Sequence, residues 1–486
     1  MLIGKFGSAT PPHDLRLPHR TTDCLMGLRV LAIIGIILGC GAEAGLAQVP
    51  RIQGQGTAAS GQGNAFAAQA DDPSALHYNP AGMTQLRGVQ IMGGWLLSGG
   101  TTHFTSSNPP TAGVTATGDR NGSLAWPPPT HYYVVTNLKD LGVTSLGNLV
   151  AGVGMTVPFG SVTRWPDNGP FRNNVTFNTL PLLDIKPTLA YKVANDLSLG
   201  LGADIYTFSG LFGEGHVEQQ FVNSAATPFF GQAGGLVELN GKDTAAGFNA
   251  SLLYTALRNP DGQPTANIGI VYRSQATLHL AGSLLNNGVK LTDASTTLVL
   301  PQVITGAIAL WPVRTPDREW KLELDVDYVG WNSVRNLDIR LANGTTIPQP
   351  QNWKSTYAVM VGTEYRWLAL ESMPAWELML RGGYTDQQAQ MPDSGFNPGI
   401  PSADVHILST GIGLLCTDNG LFFGFVKCGD LGIGPLKPKG IGLDLSYQAS
   451  LYEQRTVAGN AGLRAQVNGL YRTMLHTGGI SVRAMF

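Results

Sequence analysis

The chain has 486 residues, of which 13% are charged and 62 are glycine, with a net charge of -2. Charged residues thus stand at roughly half the ~25% of soluble globular chains, and glycine well above its usual ~7%. A mean hydropathy of +0.03 excludes a bundle of apolar helices, and the near-neutral charge without a basic block excludes the basic face of a nucleic-acid-binding protein.

Residues 1–25 hold Pro11, Pro12 and several basic residues and look superfluous; Met26 is a candidate true start. Met26 to Ala47 has a basic start, an apolar run and small residues at its end. It reads as a secretory signal peptide, cleaved after Ala47 or Ala44, whose apolar part is too short for a stable anchor. Ile37-Leu-Gly-Cys40 is only a weak lipoprotein box, because Leu38 fits it poorly. No later stretch reaches the ~18 uninterrupted apolar residues of a membrane helix. An exported chain of this kind is periplasmic, secreted, or an outer-membrane barrel.

Ser60 to Leu86 is rich in small residues and nearly uncharged. Asp72 before Pro73, and Asn79 before Pro80 seven residues on, are N-caps with proline at the first helical position. Starts so close together predict very short helices, marginal alone in water, which something must surround. After the leader of 1–47, residues 48–87 are therefore expected to form a hatch that plugs a barrel made by 88–486. The alternative is an ordinary N-terminal loop on a soluble β protein.

In the body, Trp320, Leu322, Leu324, Val326 and Tyr328 face one way along a strand, and Lys321, Glu323, Asp325 and Asp327 the other. Helical spacing would scatter these charges around the axis. The alternation recurs near 153–157, 183–193, 197–206, 376–384 and 441–449. Such runs exceed the ~5–6 residues of most soluble strands and match a tilted membrane-crossing strand, with Trp and Tyr at their ends. Strands are expected near 88–98, 130–136, 148–158, 182–193, 196–208, 244–256, 265–274, 297–310, 319–330, 353–366, 375–384, 404–415, 440–453 and 476–486. That is an all-β fold, a transmembrane antiparallel barrel of about fourteen strands, an even number as bacterial barrels require.

Long connections (99–129, 159–181, 209–243, 275–296, 331–352, 385–403, 454–475) then alternate with short ones such as Ala194-Asn195. The exception is 416–439, long where a short turn is expected. It holds Cys416 and Cys428, the two cysteines left after the signal peptide. They are either a disulfide or two thiols, and an oxidising compartment favours the disulfide. The chain closes with Ile480, Val482, Ala484 and Phe486 on one face.

Several stretches, in order from about residue 56 to the end, resemble the outer-membrane long-chain fatty acid transporter family (FadL/TodX type), which also takes up aromatic hydrocarbons. They include Gly63-Asn-Ala-Phe66, Ala70-Asp71-Asp72, Asn79-Pro80-Ala81-Gly82, Asp184-Ile-Lys-Pro-Thr-Leu-Ala-Tyr191, Asp327-Tyr-Val-Gly-Trp-Asn332, Leu380-Arg-Gly-Gly-Tyr384 and Ile400-Pro-Ser-Ala-Asp404. The resemblance implies a fourteen-stranded barrel with an N-terminal hatch. It also implies capture of an apolar ligand by the outer loops, hatch rearrangement, and exit sideways at an inward-kinked third strand. Here that strand is Leu149–Phe159, and Gly152, Gly154 and Pro158 are expected to weaken its pairing as a lateral gate; plain barrel curvature is the other account of them. The leader and the 416–439 insertion depart from the family.

Candidate ligand contacts are Phe66, Leu76, Tyr78 and Met83 of the hatch, for which simple packing is the competing account. Phe208, Leu211, Phe212, Phe221, Phe229 and Phe230 form an apolar cluster in the longest outer loop, where water-facing residues are expected. For a carboxylate ligand, an inward Arg273, Arg381 or Lys186 is a candidate partner, unless engaged with Glu323, Asp325, Asp327 or Glu377. No Gly-x-Ser-x-Gly is present, and the nine histidines are scattered, so neither an enzyme nor a metal or other cofactor is expected. A general diffusion porin and a lipid-acting enzyme remain the rival functions. A hydrophobic small molecule and outer-membrane lipid are the expected partners, and the barrel is expected to be a monomer.

Overall fold

The computed structural model describes residues 51–486 apart from 108–112, 117–123, 127, 226, 228, 229 and 433–436, so the expected leader and Phe229 lie outside the described residues. Fourteen strands build the wall. They are β1 (Val89–Ser106), β2 (Thr130–Asn137), β3 (Leu149–Arg164), β4 (Phe177–Lys192), β5 (Leu197–Thr207), β6 (Ala245–Arg258) and β7 (Pro264–Arg273), followed by β8 (Val303–Arg314), β9 (Arg318–Val329), β10 (Thr356–Trp367), β11 (Trp376–Gln387), β12 (Val405–Thr417), β13 (Gly440–Tyr452) and β14 (Gly469–Met485). Each pairs antiparallel with the next. β14 returns to β1 from Gln90↔Met485 to Ser106↔Gly469, so the sheet has no open edge.

The strand expected at 297–310 is displaced. The wall strand is Val303–Arg314, and 276–286 pairs with 289–300 in an outer hairpin where a loop was expected. Asn287 and Gly288, both at positive φ, form its two-residue turn. This Asn-Gly signal is legible in the sequence. A second outer hairpin, Val217–Val222 with Leu236–Gly241, joins the first through Glu238↔Leu285. Among the connections at the opposite end, 418–439 is long, and Cys416 and Cys428 are joined there by a disulfide with Cα atoms 6.2 Å apart.

The wall inverts the polarity of a soluble sheet. Leu97, Leu189, Leu201, Ile270, Ile308 and Leu408 stand exposed on its outer surface, while Lys321, Glu323, Asp325 and Asp327 are buried inside. What buries them is the segment 51–87. It carries the four-residue helices Thr57–Ser60 and Ala75–Tyr78 and a 3-10 helix, Pro80–Gln85, and nearly all of it is buried.

Wall glycines make room for this segment. A Cβ at Gly383 would overlap the Gln62–Gly63 backbone, one at Gly269 the Ala67 carbonyl, and one at Gly200 the Ala81 amide. A Cβ at Gly306 would meet nothing. Overpacking of this kind costs about 1–3 kcal/mol. Gly383→Ala is therefore expected to lower the urea midpoint of the folded barrel and expose residues 51–87 to protease, whereas Gly306→Ala leaves both unchanged. Equal behaviour of the two variants in gel migration with and without heating, and in proteolysis, would contradict the packing account.

Candidate functional site

The inner segment is shaped by its own polar side chains. The Asn79 side chain accepts from the Ala81 N–H at 3.1 Å, capping the 3-10 helix, and donates to the carbonyls of Ala67 (2.7 Å) and Leu252 (3.1 Å). Pro80 follows at the first helical position, and the Ala81 N–H also reaches the Ser251 hydroxyl at 2.9 Å. Asp72 accepts from the Ser74 N–H (2.7 Å) and hydroxyl (2.5 Å). Burial pushes the Asp72 carboxyl up to about 6, while Arg483 and the Ser74 hydrogen bond pull the other way. Asp71 pairs with Arg366 at 3.2 Å, and Gly82 lies so close to Ala70 that a side chain would not fit.

The polar face of β9 grips four consecutive backbone amides. Asp325 accepts from the N–H groups of Phe66 (3.0 Å) and Ala67 (2.9 Å), and Glu323 from those of Ala68 (2.6 Å) and Gln69 (3.2 Å). Lys321 compensates Glu323 at 2.7 Å, and Arg51 compensates Asp327 at 2.6 Å.

The cations proposed for a ligand carboxylate are engaged with the wall. Arg273 pairs with Asp204 at 2.8 Å and donates to the His77 carbonyl at 2.9 Å. Lys186 pairs with Asp184 and Asp204. Arg381 is held by Glu364 and Asp444, each at 2.6 Å, rather than by the acids expected from sequence. All four acids in these pairs face inward by strand parity, but which cation meets which acid depends on neighbouring strands and is not written locally.

The third strand is irregular at a single point. Thr156 pairs with Asp184 and Phe159 with Leu182, leaving Val157 and Pro158 opposite Leu183 in a bulge. On its other side, the pairing of β3 with β2 stops at Tyr132↔Met155. One buried side chain takes both polar groups of Val157: the Gln55 amide accepts from its N–H and donates to its carbonyl, each at 2.9 Å. Ile52 adds a hydrogen bond to the Pro158 carbonyl at 2.9 Å. Gly152 and Gly154, expected to weaken the ladder, are instead paired on both sides. Their lack of a side chain admits Leu76, and at Gly152 also Met83.

Above the inner segment, against the place where β3 parts from β2, lies a cavity of about 280 Å3. Ile52, Trp126, Val157, Leu180, Leu183 and Phe212 supply much of its apolar lining, and Ser98, Thr102 and Thr473 its polar edge. Arg51 is the one charged residue among the described lining. Of the ligand contacts expected from sequence, Phe212 is there. Leu76 and Met83 instead pack the inner segment against Met92, Tyr133 and Val150 of the wall. Phe66 packs edge-on against Tyr78 at 5.6 Å, and the Tyr78 hydroxyl binds backbone of residues 53 and 55. Phe230 belongs to a separate outer cluster with Phe221, Val237 and Leu284. Gln55, Arg51, Glu364 and Asp444 were not singled out from sequence, and for Gln55 no local signal exists.

A closed barrel, greasy outside and corked within, defines an outer-membrane protein. The chain belongs to the outer membrane protein transport protein family (OMPP1/FadL/TodX), whose model matches residues 42–421; this is a family of transport proteins, not enzymes. It is similar to the putative outer membrane protein NMB0088 of Neisseria meningitidis serogroup B, 30% identical over 123 residues, 25% of each chain. It is 22% identical to the long-chain fatty acid transport protein of Escherichia coli over 346 residues, 64% of this chain and 71% of that one. Two crystal structures share the fold. One is a Pseudomonas aeruginosa FadL homologue (TM-score 0.64, 17% identity, 91% of this chain and 100% of that one). The other is the P. putida toluene transporter TodX (TM-score 0.60, 14% identity, 89% and 99%).

Hydrogen bonds to charged groups are worth about 1.5–3 kcal/mol each. Removing both acids of β9 by E323A/D325A is therefore expected to free the inner segment. N-terminal proteolysis should accelerate by an order of magnitude or more, while the barrel keeps its heat-modifiable migration. Unchanged proteolysis would show that packing alone holds residues 51–87.

Proposed function

We propose that the chain moves uncharged apolar small molecules, aromatic hydrocarbons in preference to long-chain fatty acids, across the outer membrane. A molecule enters through the outer loops at Phe212 and occupies the cavity above the hatch of residues 48–87. Rearrangement of that hatch lets it leave sideways between β2 and β3, past Pro158. The observation that carries this reading is the apolar cavity lying against the bulge. Its volume sits near the lower end of the ~300–1,000 Å3 usual for small-molecule sites. Each buried methylene contributes about 0.8 kcal/mol, a gain that a water-filled pore would not offer. The toluene transporter among the structural neighbours is consistent with such cargo.

The preference for a neutral ligand rests on charge. Arg51, Arg273 and Arg381 each already hold a carboxylate, so an incoming fatty acid would have to displace a buried partner. The general-porin alternative lacks such support, because the inner segment fills the lumen beneath the cavity.

Leu180→Trp, which fills the cavity, is expected to cut uptake of dilute toluene at least tenfold in cells carrying a normally folded barrel. Wild-type protein is expected to carry toluene faster than oleate. Uptake unaffected by Leu180→Trp would remove the cavity from the route, and faster oleate uptake would overturn the charge argument.

A further inference from the structure

The long connection at the short-turn end of the barrel is fastened to the lipid-facing side of the wall. In β12, Gly411 adjoins Gly61 of the inner segment and Gly413 adjoins Arg381 and Asp444, so these residues face inward. The alternate residues Leu408 and Ile412 are exposed on the outer surface. Cys416 belongs by parity to this outer set, yet it is fully buried. Its cover is its own connection. Cys428 is bonded to it, the Cys428 N–H donates to the Gly420 carbonyl at 2.9 Å, and Gly420 packs on the Cys416 sulfur. The family match ends at residue 421, so the feature lies almost wholly beyond it.

The stapled segment presents a small hairpin, Leu421–Phe422 paired with Val426–Lys427. At its tip Phe423 is 87% exposed and Phe425 76%, with ring centroids 6.4 Å apart. Phe423 has φ +51° and Gly424 φ +79°. Hairpin tips usually place Asn or Gly where φ is positive, and a bulky residue there is strained. The strained residue places an aromatic ring at the extreme of the loop. Leu421 and Leu431 are also exposed, as are Lys427 and Lys439, while Lys437 pairs with Asp430 at 3.2 Å. Exposed rings at a tip, with Lys427 on the same hairpin and Lys439 exposed on the same connection, match a bilayer interface, where apolar groups enter the acyl boundary and lysines meet lipid phosphates. Short turns mark the periplasmic end of such barrels, so the adjoining lipid is the inner leaflet.

We propose that the hairpin 421–427 is a foot docked in the phospholipid headgroup layer of the periplasmic leaflet, continuous with the lipid-facing wall and held at its depth by the Cys416–Cys428 bond. The foot depends on membrane insertion of the barrel and not on which ligand the barrel carries.

The test places the photo-crosslinker p-benzoylphenylalanine at position 425, and separately at 423, of the full chain in intact cells. After irradiation, barrels with normal heat-modifiable migration are purified and their adducts identified by mass spectrometry. Phospholipid adducts at both positions, at least tenfold above protein adducts, are expected. Protein adducts at that level would make the foot a protein-docking site, and folded barrels without lipid adducts would place it in water. Either result overturns the proposal.

Discussion

Two carboxylates facing into a membrane-embedded cylinder hold the rest of the structure in place. Glu323 and Asp325 sit on a strand whose other face is turned to lipid, and together they accept four successive backbone N–H groups from residues 66–69. An ionised carboxylate with no partner in such a site would be strongly destabilising. The inner segment, for its part, contains only four-residue α-helices, far below the length at which a helix stands alone. Each therefore supplies what the other lacks: the amides partner one oxygen of each acid, and the acids fix a backbone that has little regular structure of its own. Charge-assisted bonds of this kind are stronger than neutral ones, and Lys321 and Arg51 keep the cluster from accumulating negative charge.

Backbone can approach a wall that closely only where the wall has no side chains. Gly200, Gly269, Gly362 and Gly383 all face the inner segment at distances that exclude a Cβ, and at Gly411 a Cβ would sit 3.0 Å from the Gly61 Cα. The surplus of glycine thus has a structural cause beyond turns. The Gly-x-Gly repeats at Gly152, Gly200 and Gly411 follow the period of two and mark inward positions: Gly202 and Gly413 make room for polar side chains of the wall, while Gly152, Gly154, Gly200 and Gly411 meet residues 61–83. The same contact explains why Gly152 and Gly154 leave the β3 ladder intact: they serve close packing.

The strands were legible because lipid imposes a strict rule on every second residue, and fourteen segments obey it. Ends were less legible. β1 and β14 run to Ser106 and back from Gly469; burial still alternates over 101–106, but Thr102 and Ser106 take buried positions, so the polar-apolar pattern of the residues no longer reports it. The outer hairpin at 276–300 was legible in Asn287-Gly288 and was masked by a polar composition that suggests loop. The inner segment was readable from its paired caps at Asp72 and Asn79, but its contacts were not. Arg381 meets Glu364 directly opposite on β10 and reaches Asp444 of β13 across β12 where Gly413 has no side chain, partners 17 and 63 residues away. Gln55 shows the limit most clearly. A glutamine in a stretch of small residues carries no pattern, and its role depends on an irregularity more than a hundred residues away.

That irregularity ties the cork to the wall at one place. A bulge leaves backbone groups outside the ladder, and in a wall facing lipid such groups have no water to turn to. Both polar groups of Val157 are answered by the Gln55 side chain, and the Gln55 backbone carbonyl accepts from the Tyr133 hydroxyl of β2 at 2.5 Å. Gln55 therefore touches both strands that part here, and it is anchored at Tyr78 through its N–H at 2.8 Å. Motion of the inner segment away from β3 must leave Val157 to water, to a new backbone partner, or unpaired. Each outcome changes the wall at the point where the cavity lies against it. Linkage between cork and wall then needs no long chain of contacts, because the hydrogen bonds of Gln55 and Ile52 to Val157 and Pro158 carry it directly, and it is reciprocal: whatever stabilises the closed bulge stabilises the seated segment by the same amount.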